Sequence, residues 1–223
     1  MTPYGTIYRT SRERIGAFVT SGIDLNQSVP ACPGWTARGV VSHLVGTAQD
    51  VIDQKLGGVP SDEHTASQVE RYAAVPLDDL LRTWSALSEQ LEPLIDAFEI
   101  GALATDAVSH ECDLYSAFGL PLDAAVTEAM ELGEDVLKGL RTSSPLVVCT
   151  GSLEHVAHDG EDPIVLSTTA LEAFRWRLGR RSRPQLLEMA WSADPGSLVD
   201  ELCIFGPSPV AITEVVTTPT TSS

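Results

Sequence analysis

The chain has 223 residues, 43% of them hydrophobic, enough apolar material for one large domain or for a main domain with a smaller companion. Fourteen lysines and arginines face 31 aspartates and glutamates, and the formal net charge of −17 leaves no cationic surface to displace counterions from nucleic acid or to hold an anionic membrane. No run of about 18 apolar residues occurs, and the opening MTPYGTIYRTSRER lacks the apolar centre of a signal peptide, so a cytoplasmic protein is expected.

Residues 1–141 read as mostly helical. A first helix is predicted over about Thr6 to Ser21, with Ile7, Ile15, Phe18 and Val19 on its apolar side. The segment VPACPGWT then breaks the chain, and Thr36 is placed to cap a second helix running to about Lys55. Val40, Val41, Leu44, Val45, Ala48, Val51 and Ile52 form its stripe. A polar loop is expected from Gly57 to about Val75. The strongest period follows, from Leu77 through Trp84 and Leu91 to Phe98, with Pro93 expected to kink or shorten its end. A fourth helix is predicted over about Ala102 to Phe118, and a weaker fifth over about Leu122 to Leu140, interrupted by Gly133 and Gly139.

Beyond Pro145 the texture changes. LVVCTG, LEHVAH and PIVLST are short β-favouring runs, joined by a helical TALEAFRWRLGRR and a short helix near Leu198. The pattern predicts a mainly α protein: a helical bundle over residues 1–142, a small α+β domain over 143–214, and a tail over 215–223 that stays disordered.

The fourth helix holds the chemistry. Asp106, His110 and Asp113, with Ala102 and Ala117, share one narrow strip at 100° per residue. His43 stands beside the stripe of the second helix, in company with Gly39, Gly46, Thr47 and Asp50. Small neighbours of this kind would leave room for a ligand. Two imidazoles and a carboxylate are a common ligand set for a divalent ion of zinc's type, with water in the remaining position. Ordinary hydrogen-bonded histidines and a surface Asp–His pair are the competing reading. His64, His155 and His158 read as loop or surface residues. Cys32, Cys112, Cys149 and Cys203 show no CxxC pairing, which points to reduced, mostly buried thiols. Cys32 reads most simply as a packing residue, with a redox role as the minority reading, and Trp35 as closing the bundle's end.

VPACPGWTARGVVSHL and DAVSHECDLYSAFG together resemble the two motifs of the mycothiol-dependent maleylpyruvate isomerase-like proteins, within the DinB-like metalloenzyme group of actinobacteria. LGRRSRPQL, WSADP and FGP are similar to the C-terminal part of many members. The resemblance implies a DinB-like up-and-down bundle with zinc on His43, Asp106 and His110, and Asp113 supporting an imidazole from behind. It also implies mycothiol as the cofactor, whose thiol adds to a cis double bond, permits rotation and leaves again, or is transferred to another small electrophile. The family's acid is commonly Glu; Asp106 is one methylene shorter, and Asp113 is its alternative as ligand. A non-enzymatic metal-binding protein of the same architecture is the second reading.

Arg175, Arg177, Arg180, Arg181 and Arg183 fall within nine positions of an otherwise acidic chain. Arg180 and Arg181 are the candidates for binding an anionic cofactor or substrate. Alternatively, the cluster pairs with acidic residues of the bundle and docks the small domain.

Overall fold

The computed structural model describes residues 2–55, 61–151 and 153–216. Its contacts divide the chain into two compact units, Met1–Leu120 and Pro121–Ser223.

The first unit is a helical bundle. Four longer helices form it: α1 Tyr4–Thr20, α2 Ala37–Ile52, α4 Leu77–Ala97 and α5 Gly101–Ala117, with α3 Asp62–Tyr72 between the second and third of these. Ile7, Ile15 and Val19 of α1, Val40, Val41 and Val45 of α2, Leu80, Trp84, Leu91 and Ile95 of α4, and Ala104, Ala107 and Val108 of α5 are buried, as their helical spacing requires. Thr36 caps α2, its hydroxyl accepting from the Gly39 N–H at 3.2 Å. The helix of the strongest period continues through Pro93 to Ala97.

α3 replaces most of the loop expected before Val75; residues 56–60 lie outside the described residues. Its sequence, DEHTASQVERY, has no apolar stripe, and Gln68 is its one buried residue. Ser61 caps it, and a buried carboxylate anchors it to α2: Asp50, with no solvent exposure, meets His64 Nε2 at 3.0 Å, Gln68 Nε2 at 2.8 Å and Arg71 at 2.7 Å. Gly46 of α2 serves this approach rather than an open space: a Cβ there would lie 2.5 Å from Gln68 Cβ.

The second unit holds α6 Val126–Leu137, strands β1 Leu146–Cys149, β2 Glu154–His158 and β3 Ile164–Ser167, then α7 Ala170–Arg177, α8 Arg183–Leu187, β4 Ala190–Trp191 and a 3-10 turn at Gly196–Glu201. The sheet order is β2-β1-β3-β4, with β1 parallel to β3 and the other pairs antiparallel. Leu137, Leu146, Val148, Leu166, Trp176 and Val199 belong to its core. The division at Leu120 puts α6 in this unit, whereas the sequence pattern places the boundary near Ser143. The reason is a close helix pair. A Cβ on Gly133 of α6 would meet the Ala170 carbonyl oxygen at 1.9 Å, so the glycine that weakens the helical pattern is what lets α7 approach. Val215 of the expected tail forms a parallel bridge with Pro121, and residues 217–223 lie outside the described residues.

Candidate metal centre

α2 and α5 bring His43, Asp106 and His110 together. His43 Nε2 lies 3.6 Å from one Asp106 oxygen and His110 Nε2 lies 3.5 Å from the other; one donor atom from each residue falls within 4.8 Å of the other two. The four-residue step from Asp106 to His110 is one helical turn, which aligns both side chains on α5. Both imidazole side chains are 7% exposed and Asp106 is 31% exposed, so solvent reaches the group from the aspartate's side.

The two rings are held differently. Nδ1 of His110 faces away from Asp106 and lies 3.1 Å from Asp113 Oδ2, a carboxylate with no exposure. Cys32, from the loop before α2, places its sulfur 3.5 Å from both His110 Nδ1 and Asp113 Oδ2. His43 has no such backing. Its Nδ1 is buried without a hydrogen-bond partner among the described residues, and its ring is steadied by Trp35, whose centroid is 4.8 Å away. Trp35 also stands 6.0 Å from His110, so this residue flanks the histidine pair. Burial holds the His110 pKa below the ordinary imidazole value, against the raising influence of Asp113 and Asp106. The ring is therefore neutral at neutral pH, with a lone pair for a cation.

The donor set suits a divalent ion. Tetrahedral coordination at zinc-like bond lengths separates its ligands by about 3.3 Å, close to the spacing between Asp106 and each imidazole. Asp106 and Asp113 bring two carboxylates to the cluster, and one divalent ion would offset their charge.

The remaining candidates lie elsewhere. His64 is on α3 and bound to Asp50; His158 Nδ1 lies 2.7 Å from the Thr142 carbonyl and His155 Nε2 lies 3.4 Å from that of Leu140. The arginine cluster builds the second unit. Arg175 and Arg181 share Glu214, Arg181 also grips Glu172 with two nitrogens, Arg183 pairs with Asp200, and Arg177 donates to the Leu202 and Gly139 carbonyls. These carboxylates lie in the second unit, not in the bundle. A cavity of about 660 Å³ in that unit is lined by Ser167, Thr168, Thr169, Glu172, Arg181 and Gln185, and there Arg181 already meets a carboxylate.

Fold and site thus define the class: a DinB-like helical bundle with two histidines and a carboxylate gathered at one point of its interior. Residues 8–115 match the model of the family described as mycothiol maleylpyruvate isomerase N-terminal domain. Among solved structures, the crystal structure of the mycothiol-dependent maleylpyruvate isomerase is similar over 86% of this chain and 92% of that one, with 13% identity and a TM-score of 0.55. A histidine-to-alanine mutant of that isomerase aligns over the same shares, at 13% identity and a TM-score of 0.47. No curated protein matches. Among the described residues, no helix is long and apolar enough to cross a membrane.

Proposed function

We propose that this chain is a divalent-metal-binding, mycothiol-dependent isomerase or thiol S-transferase acting on a small electrophile. One observation carries the reading: the Nε2 atoms of His43 and His110 converge on the two oxygens of a single aspartate, within a chain whose residues 8–115 match the model of the mycothiol maleylpyruvate isomerase N-terminal domain. His43, Asp106 and His110 would hold the ion, and their nitrogen and oxygen donors suit zinc. When bound, the cation supplies a position at which a low-molecular-weight thiol is favoured as thiolate, the nucleophilic form.

The chain's own residues do the rest. Asp113 accepts the Nδ1–H of His110, which leaves the Nε2 lone pair directed at Asp106. Trp35 restrains the His43 ring and keeps water from that side. Asp106, the most exposed of the three, opens the route by which thiol and electrophile enter. Of the two arginines assigned to an anionic cofactor or substrate, Arg181 is held by Glu172 and Glu214 and Arg180 donates to the Leu178 carbonyl, so both are engaged within the second unit.

Metal analysis and turnover test this. The purified protein is expected to carry one divalent ion per chain, H43A to lose it, and the loaded protein to convert maleylpyruvate only when mycothiol is supplied. Stoichiometric metal without turnover, on this and other cis-configured electrophiles, would favour a non-enzymatic metal-binding protein. A chain that takes up no ion, or an H43A variant that keeps it, refutes the centre.

A further inference from the structure

Cys32 sits in the loop VPACPGWT, whose backbone is closed tightly around it. The Cys32 N–H donates to the Val29 carbonyl at 2.9 Å, the Trp35 N–H donates to the Cys32 carbonyl at 2.9 Å, and the Val29 N–H donates to the Trp35 carbonyl at 3.0 Å. Gly34 makes the turn possible with a φ of +83°, a conformation that L side chains rarely adopt. These bonds hold the Cys32 side chain inward, 7% exposed, against the side of His110 that faces away from Asp106. No feature of the isomerisation chemistry uses this thiol.

The protons around it can be counted. Cys32 offers one S–H and has two acceptors at 3.5 Å, His110 Nδ1 and Asp113 Oδ2. If His110 gives its Nε2 lone pair to a cation, Nδ1 carries the ring proton and cannot accept; that proton goes to Asp113 Oδ2 at 3.1 Å. Of these two acceptors, the thiol proton then goes to the same carboxylate oxygen. With the opposite tautomer, S–H would turn to Nδ1 and Asp113 Oδ2 would lose these two donors.

We infer that Cys32 is a positioning residue for the metal centre: its S–H donates to Asp113 Oδ2 and thereby fixes the carboxylate that holds His110 Nδ1–H, selecting the tautomer whose Nε2 faces Asp106 and His43. The inference rests on the metal-binding reading above and adds to it a residue from outside both helices that carry the ligands. It also states why a cysteine stands there. A buried carboxylate with no exposure needs donors, and the thiol supplies one without adding a charge to a site that already holds two carboxylates.

Packing alone would predict a different order among variants, which makes the idea testable. Serine keeps a donor at the same position but is a poor apolar filler; alanine is apolar and has no donor. Titrating the metal-free proteins with zinc against a chromogenic chelator is expected to give C32A an affinity about tenfold below wild type, the low end of the loss seen for outer partners of metal-bound histidine. C32S is expected to stay within about threefold of wild type. Proton-nitrogen NMR of the wild-type protein loaded with zinc provides a readout that needs no variant to fold, and is expected to show His110 protonated at Nδ1. C32A binding as tightly as wild type, C32S binding no better than C32A, or His110 protonated at Nε2 would overturn the inference. A wild-type chain that binds no zinc would instead overturn the metal-binding reading itself, so the two failures are told apart.

Discussion

The same chemical change, Gly to Ala, should act in opposite directions at two helical positions of the bundle. At Gly46 an added methyl would lie 2.5 Å from Gln68 Cβ and 3.0 Å from its Cγ, whereas carbon atoms rest about 3.5–4.0 Å apart. α3 must therefore withdraw by about 1 Å, and the 2.8 Å bond from Gln68 Nε2 to Asp50 would stretch beyond hydrogen-bond range. Crowding of this kind costs about 1–3 kcal/mol. A lost bond to a buried carboxylate costs about 1.5–3 kcal/mol, and the two losses overlap because one movement relieves the first and causes the second. Alanine returns up to about 1 kcal/mol through helix propensity, leaving G46A about 2 kcal/mol less stable than wild type. At Gly16 nothing lies within 4 Å of the added methyl, so only the propensity gain applies and G16A should be about 0.5–1 kcal/mol more stable. Urea unfolding followed by circular dichroism measures both, and hydrogen exchange shows whether α3 amides lose protection first in G46A. A G46A variant as stable as G16A would refute the claim that Gly46 exists to admit α3.

Two further outcomes concern buried charge. Asp50 is held below the usual carboxylate value, because Arg71, Gln68 and His64 together overcome the raising effect of burial. Its pKa is lower folded than unfolded, so its contribution is complete above the unfolded value of about 3.9 and is lost as pH falls through that value and below. D50N is expected to cost about 3 kcal/mol at pH 7, and its stability gap from wild type, measured by urea unfolding across pH, should shrink as pH approaches about 3. A gap of constant size would show that the carboxylate charge is not what fastens α3. In the second unit, Glu214 is 4% exposed and bridges Arg175, with no exposure, to Arg181. E214Q leaves two guanidinium groups short of their counter-charge and should destabilise that unit by about 3 kcal/mol. A loss below about 1 kcal/mol in the unfolding of that unit would mean that water already reaches the pair.

The residues also mark which parts of the molecule a sequence can announce. Periodic apolar residues specify α1, α2, α4 and α5, because a stripe at 3.6-residue spacing has only one way to be buried, and Thr36 as a cap follows from the same local rules. Asp106, His110 and Asp113 could be placed on one strip for the same reason, since neighbours on a helix are set by the backbone. α3 was hidden: its attachment is a polar one made by Asp50 of another helix, and nothing in DEHTASQVERY records that partner. Gly133 looks like a weakness along the chain and Gly46 like room for a ligand, and both become necessities only when Ala170 and Gln68 arrive opposite them. The arginines of α7 and the segment after it are visible as a cluster, but their shared partner Glu214 is not, because it lies 39 residues from Arg175 and 33 from Arg181.

The sequence by itself determined α1, α2, α4 and α5, the Thr36 cap and the kinds of donor atom on their strips, all properties that depend on residues within a turn or two of one another. Tertiary structure alone decided that His43 from α2 meets the α5 pair and that Cys32 comes to rest behind His110. It alone decided which face of α2 is covered by α3. Those outcomes depend on how separate helices pack against each other, and packing is settled by the shape and charge of both surfaces at once.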